Sequence, residues 1–209
     1  MKAETKIFGI VLASGQSIRM GKPKLLLHWQ GVSLIEHILN KTKDIPFEQV
    51  QVVISDQNEH LKRIVTQYKY SPIYNNSPHM GLGNSLSLAI GSLPLSTEAA
   101  IILLGDQPTL AAEDIRKVWL SFTRLRSKHE YCPKVIMQMK YRDGKVGHPT
   151  LFSHHFFEEL KSLSGDKGGR DIILANAGWL IMCQSGKKYP NDIDTPYDYQ
   201  QLLKREGEG

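Results

Sequence analysis

The sequence predicts an α/β fold, a three-layer sandwich around a mostly parallel sheet, and three observations carry that prediction. Between residues 7 and 126, apolar runs of strand length alternate with stretches whose apolar residues recur at helical spacing. One of the runs, Ala99 to Leu104 (AAIILL), is apolar throughout, as a strand covered on both faces must be. A tight-hairpin signal, Asp143-Gly144, comes only after that alternation ends. With 209 residues and 41% hydrophobic content, the chain can bury one substantial core and is short for two, so one domain is expected over residues 1–203, followed by a polar tail at 204–209.

In order, Ile7 to Ala13 reads as the first strand and Ser33 to Lys43 as the first helix, with Leu34, Ile35, Ile38 and Leu39 on one stripe. Gln49 to Ser55 is a strand, Glu59 to Tyr68 a helix and Pro72 to Tyr74 a short strand. Asn84 to Leu93 and Ala111 to Arg126 are helices on either side of the strand Ala99 to Leu104. Lys134 to Tyr141 and Lys145 to Phe152 flank the Asp-Gly turn as a hairpin. Helices are expected near His154 to Leu163 and Arg170 to Ala177, a strand at Trp179 to Cys183, and a last helix from Pro196 to about Leu203.

Composition removes several function classes. A net charge of +5 and a pI near 9.1 suit an anionic substrate, but the Lys and Arg residues are scattered and form no basic arm or RNA-binding motif, so nucleic acid is not an expected partner. Cys132 and Cys183 are far apart and read as two reduced thiols rather than a metal knuckle. No segment approaches the ~20 apolar residues of a membrane span, and the apolar start leads straight into a glycine loop. A cytoplasmic protein with no membrane partner is therefore expected.

That loop, LASGQSIRMGKPKLLL at residues 12–27, carries the most chemistry. Leu12, Ala13, Ser14 and Gly15 allow close backbone approach, and Arg19, Lys22 and Lys24 add cationic side chains, a combination that suits phosphate. It is not a Walker A loop, because five residues separate Gly15 from Gly21 and Pro23 follows Lys22. Nor does it continue directly into a helix, as a dinucleotide-binding glycine motif does. An ordinary solvated turn is the weaker reading of so long a Gly, Ser and basic segment.

Ligands in open α/β sheets sit at the carboxyl ends of the strands, which directs attention to Asp106, just after AAIILL. A carboxylate there can bind Mg²⁺, and Asp-Gln-Pro-Thr is equally good turn chemistry. Asp194 precedes the last helix beside Thr195 and Pro196, where capping is the default; a second metal carboxylate is compatible with it. Gly81, Gly83, Asn84 and Ser85 form a further glycine segment that either packs against a base and ribose or serves turn geometry. His148, within Gly147-His148-Pro149, is either a substrate contact or a strand residue with a satisfied ring. His154-His155 is expected to cap a helix rather than bind metal, and no Ser-His-Asp order supports a serine hydrolase.

Taken together, LASGQSIRMGKPKLLL, GLGNSL, LLGDQP, GHPTLF, SGDKGGR and DIDTPYDY resemble, in order and over nearly the whole chain, the MobA-like nucleotidyltransferases, and most closely the molybdenum cofactor cytidylyltransferases, including the type that serves purine catabolism. The resemblance implies a Rossmann-like sheet of the nucleotide-diphospho-sugar transferase type with a β-hairpin insertion. It also implies the reaction, transfer of CMP from CTP to molybdopterin with release of pyrophosphate, dependent on Mg²⁺ and serving a molybdenum hydroxylase such as xanthine dehydrogenase. Transient contact with that hydroxylase or its chaperone is implied as well. Carried over, Arg19, Lys24 and Asp106 would be catalytic, and Asp106 and Asp194 would bind the metal. Leu12, Ala13, Ser14, Gly15, Gly81, Gly83, Asn84 and Ser85 would bind nucleotide, and Gly147, His148 and Pro149 would border the pterin.

One departure bears on the nucleotide. CTP-using members carry LAAG and GTP-using ones LAGG, whereas this chain has Ser14 at the discriminating place; serine is nearer alanine in size, which favours CTP. A guanylyltransferase, a sugar-nucleotide or isoprenoid-precursor transferase of the same fold, and a non-catalytic cofactor-delivery chaperone are the competing readings.

Overall fold

The structure is a computed structural model in which residues 5–166 and 168–204 are described. The strands are β1 (Ile7–Ala13), β2 (His28–Trp29), β3 (Val32–Ser33), β4 (Gln49–Ser55), β5 (Ser71–Asn75), β6 (Ala99–Leu104), β7 (Ile136–Lys140), β8 (Val146–Ser153) and β9 (Leu180–Gln184). The helices are α1 (Leu34–Thr42), α2 (Glu59–Gln67), α3 (Gly81–Gly91), α4 (Ala112–Arg126), α5 (Phe157–Lys161), α6 (Arg170–Ala175) and α7 (Pro196–Lys204).

Seven strands form one sheet in the order β5-β4-β1-β6-β8-β7-β9, and β8 alone runs against the others. Period-two alternation divides the inner strands between two cores. Val11 of β1, Val52 of β4 and Leu103 of β6 stand side by side and face the layer of α1, α2 and α4, with Ile35, Leu61 and Phe122 against them. Ile10, Val53 and Ile102 point the other way, onto Leu86 and Ile90 of α3, Phe157 and Leu160 of α5 and Ile172 of α6. Both faces are covered, which is why these strands read as unbroken apolar runs; the three-layer, mostly parallel fold predicted from sequence is the one observed.

The Asp-Gly hairpin forms. The Gly144 N–H donates to the Tyr141 carbonyl at 2.9 Å, with Gly144 at φ +81. The hairpin is not an appendage, because β8 pairs with β6 as well as with β7 and so carries the sheet onward. At the β7–β8 ladder the register passes from Gln138↔Thr150 to Met139↔Gly147, so His148 and Pro149 bulge out of the pairing.

Three local expectations are corrected. A two-stranded ribbon, β2–β3, precedes α1; its turn residues Gln30 and Gly31 both have positive φ, a primed turn whose usual Asn-Gly or Asp-Gly signature is missing here. Helix α3 begins at Gly81 rather than Asn84, so Gly81 to Ser85 form its first turn instead of a loop before it. His154 and His155 cap no helix: they open a single 3-10 turn, His154–Phe156, whose N-cap is Ser153, and the expected helix shrinks to α5. Helix α7 extends through Lys204, and the remainder of the expected tail, 205–209, lies outside the described residues, as does Lys167 of the SGDKGGR motif.

Candidate active site

The parallel strands β1, β4, β5 and β6 end on the same edge of the sheet, and the predicted residues gather there around a cleft of about 550 Å³. After Ala13 the chain turns outward through Gly15 to Arg19 and comes back at Lys24, with single 3-10 turns at Ile18–Met20 and Lys24–Leu26. The Ser17 hydroxyl accepts a hydrogen bond from the Lys24 N–H at 3.2 Å, which fixes the start of the second turn and returns the lysine to the cleft.

Lys24 is the centre of the arrangement. Its ammonium donates to Asp106 Oδ2 at 2.6 Å and to Asp194 Oδ1 at 2.7 Å, and its side chain is only 10% exposed. Burial pulls the Lys24 pKa down, but the charge and hydrogen bond of Asp106, with those of Asp194, outweigh it and raise the pKa above the usual value, so the lysine stays charged. Burial likewise pushes Asp194 up, and the hydrogen bond and charge of Lys24, followed by Arg19, reverse that and hold the carboxyl below the usual range. Arg19 reaches Asp194 Oδ2 at 2.9 Å with 71% of its side chain in solvent, so that pair contributes little to stability and leaves the guanidinium available to a ligand.

Asp194 does not cap α7. Thr195 and Asp198 form the reciprocal cap: the Thr195 N–H donates to Asp198 Oδ2 at 2.8 Å and the Asp198 N–H to Thr195 Oγ1 at 3.2 Å. That frees the Asp194 carboxylate to face Asp106 across Lys24. The backbone keeps the two loops in register, since the Ile193 N–H donates to the Asp106 carbonyl at 3.0 Å.

Of the residues predicted for nucleotide binding, Leu12, Ala13, Ser14, Gly15, Gly81 and Ser85 line the cleft, whereas Gly83 and Asn84 stand behind it. The Gly83 N–H donates to the Gly165 carbonyl at 2.8 Å, and the Asn84 amide donates to Asn75 Oδ1 at 3.1 Å. Ser14 and Ser85 share a hydrogen bond at 2.7 Å, and the Asn75 amide donates to Ser85 Oγ at 3.1 Å. Gly81 is required as glycine: its φ is +83, and a Cβ there would lie 2.6 Å from the Gly165 carbonyl carbon and 2.3 Å from Asp166 Oδ1.

A second cleft of about 750 Å³ opens beside the first, and Leu12, Leu82 and Asp166 line both. Gly147 and His148 border it; Pro149 is buried and does not. Gly147 admits the Tyr189 ring, whose Cε2 would lie 2.6 Å from a Cβ at that position. His148 Nδ1 lies 3.0 Å from the Ile102 carbonyl, the acceptor left over where the β6–β8 ladder ends. A carbonyl only accepts, so Nδ1 carries the proton and Nε2 is the ring's acceptor. Burial lowers the His148 pKa and favours this neutral ring.

Sequence reasoning missed Asn75, Asp166 and Asp192. Asn75 is the fully buried last residue of a parallel strand, and the strand-end rule that singled out Asp106 applies to it equally. Asp192 accepts from Gln107 Nε2 at 2.8 Å and lies two residues before Asp194, a spacing that puts both on one side of an extended segment. Burial and then Asp106 push the Asp192 pKa up to about 6. Asp166 sat in a quoted motif whose role only the meeting of the two clefts makes visible.

The donor set suits a hard divalent cation. Asp106 and Asp194 offer carboxylate oxygens, the ligands preferred by Mg²⁺ and Mn²⁺, and the ammonium between them shows that the two carboxylates are spaced to share one positive charge. The cleft offers two cationic side chains, Arg19 and Lys24, from the loop on one flank, a lining suited to phosphate oxygens.

Residues 9–179 match the family described as MobA-like NTP transferase domain. A protein named "Probable molybdenum cofactor guanylyltransferase" from Bacillus cereus strain Q1 is 34% identical over 204 residues, covering 88% of this chain and 94% of that one. The molybdenum cofactor cytidylyltransferase of Escherichia coli K12 is 25% identical over 196 residues, covering 94% and 95%. Among solved structures, the manganese complex of Rv0371c from Mycobacterium tuberculosis H37Rv superposes with a TM-score of 0.76 at 26% identity, covering 96% of this chain and 99% of that one. The glycine loop, Asp106 and Asp194 paired across Lys24, and these likenesses agree, and the chain is a nucleotidyltransferase belonging to the MobA-like NTP transferase family.

Proposed function

We propose that the protein transfers CMP from CTP to the terminal phosphate of molybdopterin, giving the cytosine dinucleotide form of the cofactor and pyrophosphate. The observation that carries this reading is the buried Lys24 ammonium held between Asp106 and Asp194 at the mouth of the glycine loop. In this reading the triphosphate enters along Ser14 to Arg19, and Arg19 and Lys24 exchange carboxylate partners for phosphate oxygens. Mg²⁺ held by Asp106 and Asp194 would supply further neutralisation of charge on those oxygens. The acceptor lies in the second cleft beside Gly147 and His148, its phosphate directed at the α-phosphorus past Leu82 and Asp166. A phosphate oxygen of the acceptor forms the new bond, and the α–β bridging oxygen leaves with its electron pair as pyrophosphate. The acceptor phosphate is already mostly dianionic at pH 7, with a second pKa of about 6, so no strong base is needed, and the residues act by positioning and electrostatics.

CTP is favoured because the Ser14 side chain, tied to Ser85, takes up room that a glycine at this position would leave for a larger base. GTP is the second reading, favoured by the name of the 34% identical Bacillus cereus relative. The product would go to a molybdenum hydroxylase such as xanthine dehydrogenase, directly or through its chaperone, in the cytoplasm. The test is to incubate purified protein with molybdenum-loaded molybdopterin, Mg²⁺ and CTP, GTP or ATP, and to measure pyrophosphate and dinucleotide. CTP is expected to give the highest kcat/KM; faster product from GTP overturns the base assignment, and no product from any nucleotide overturns the transfer reaction and leaves cofactor delivery.

A further inference from the structure

At the opposite edge of the sheet from the active site, the chain brings together side chains that the transferase chemistry does not use. Cys132, in the segment after α4, and His154 and His155, just after β8, offer one sulfur and two ring nitrogens that all lie within 4.8 Å of one another. Glu98, immediately before β6, lies beside them in a surface cleft of about 460 Å³. β6 separates this cleft from Asp106 by roughly 20 Å, at 3.3 Å per strand residue.

Backbone pairing holds the three ligand residues in place. The His154 N–H donates to the Glu98 carbonyl at 2.8 Å, and the Cys132 thiol donates to the same carbonyl at 3.4 Å. Val135 and Ser153 lock the two segments together: the Val135 N–H donates to Ser153 Oγ at 3.0 Å and the Ser153 N–H to the Val135 carbonyl at 3.1 Å. Consecutive side chains of a strand point to opposite faces. Here the 3-10 turn stacks the His154 and His155 rings at 4.1 Å between centroids, so both present nitrogens to the same side.

The neighbouring charges permit a cation. Arg126 lines the cleft with its charge already engaged; its Nε donates to Glu98 Oε1 at 2.7 Å and one of its terminal nitrogens to the His129 carbonyl at 2.9 Å. Lys134 holds its ammonium over the Phe156 and Trp179 rings, at 5.2 and 5.3 Å, and after burial and the His154 ring its charge helps to keep the His155 pKa below the usual value, which favours the neutral imidazole a metal needs. Glu98 Oε2 is buried and has no hydrogen-bond partner among the described residues, an acceptor suited to a metal-bound water.

We infer that Cys132, His154 and His155 form a transition-metal site, for Zn²⁺ or a similar borderline-soft ion, with water as fourth ligand, fastening the segment after α4 to the end of β8. One sulfur and two imidazole nitrogens are the donors such ions select over Mg²⁺, and ligand separations under 4.8 Å close to tetrahedral geometry by side-chain rotation alone. On binding, the Cys132 thiol gives up its proton to solvent as the metal–sulfur bond forms, and the two rings bind as neutral imidazoles.

Titration of the full chain with Co²⁺ in saturating Mg²⁺ tests the site, because Mg²⁺ fills the carboxylate site and a carboxylate site produces no thiolate signal. One equivalent of Co²⁺ is expected to give a thiolate-to-cobalt charge-transfer band and the intense visible bands of a tetrahedral ion, both abolished by Zn²⁺. Zn²⁺ at about 100-fold above its Kd should raise Tm by about 5 °C. Cys132→Ser and His155→Ala should each weaken binding by at least about 100-fold while leaving nucleotidyl transfer unchanged. Co²⁺ spectra without a thiolate band, or equal Zn²⁺ affinity in the wild type and both variants, overturn the site; the wild-type spectrum decides the matter even if a variant does not fold.

Discussion

The two clefts meet at Leu12, Leu82 and Asp166 and are built on opposite principles. In the first, charged groups hold one another: Lys24 bridges Asp106 and Asp194, Arg19 adds to Asp194, and the Ser14, Ser85 and Asn75 side chains form a closed set of hydrogen bonds. The second is walled largely by apolar and aromatic side chains, with Val146, Leu174 and Met182 exposed at its rim, and its charged lining residues, Asp166, Arg170 and Asp171, come from one stretch of chain. It leaves Thr150 Oγ1 buried without a hydrogen-bond partner among the described residues. A site whose charges are already paired can trade those partners for phosphate oxygens and metal with little net desolvation. A site defined by shape, with a few open hydrogen-bonding groups, selects an acceptor by fit. Substitutions on the two sides should therefore fail differently.

The largest effect is expected from Asp106→Ala. It removes one of the two acceptors of a buried ammonium and a carboxylate proposed for the metal, so kcat should fall at least about 100-fold with acceptor KM nearly unchanged. Steady-state pyrophosphate release with the preferred nucleotide measures both, and near-normal turnover would remove Asp106 from the reaction. Gly81→Ala strikes the junction itself. With φ at +83 and a Cβ 2.6 Å from the Gly165 carbonyl carbon, the loop at 165–166 must move, at a cost of about 2–4 kcal/mol. Urea melts should show that loss, and both substrate KM values should rise together; a change in only one would mean that the clefts do not share this loop.

Gly147→Ala is confined to the second cleft, proposed for the acceptor. The new methyl meets the edge of Tyr189, which packs edge-on against Tyr141 at 5.3 Å between centroids, and a displaced ring narrows the second cleft. Acceptor KM should rise about 10-fold, the equivalent of ~1.4 kcal/mol, with nucleotide KM unchanged. Equal effects on the two KM values would contradict the division between the clefts.

The same division explains what could be read from sequence. The first cleft was legible because its parts are local: a contiguous loop after β1, Asp106 at the end of β6 and Asp194 just ahead of α7. The alternation from β1 to α4 was legible because each inner strand is buried on both faces. The second cleft is assembled from β8, β9, α6, Asp166, Gly168 and Gly169, which meet only because β8 inserts between β6 and β7. An Asp-Gly signal announces a hairpin and is silent about which outer strand joins the sheet. The β2–β3 ribbon escaped notice because Gln30 takes a positive φ more often associated with Asn. Cys132 lies 22 residues before His154, beyond any short metal-binding spacing, and the two are brought together by strand pairing.

The smallest effect tests the neutral histidine on the acceptor side. Burial lowers the His148 pKa more than the Ile102 carbonyl and the Asp106 charge raise it. In the unfolded chain this imidazole titrates near 6.5, so as pH falls through ~6.5 the unfolded state takes up a proton that the folded ring refuses. The stability contributed by the neutral ring is thus complete above ~6.5 and declines toward lower pH, with a slope of at most ~1.4 kcal/mol per pH unit. His148→Gln keeps an N–H donor for Ile102 and removes the titration, so urea melts at successive pH values between about 5 and 7 should show a flatter pH dependence than the wild type. Other acid-sensitive groups contribute equally to both proteins and cancel in the difference. Parallel curves would mean that the folded ring takes up a proton as readily as the unfolded one, and Nε2, the ring's acceptor at neutral pH, would then become a donor as the pH falls.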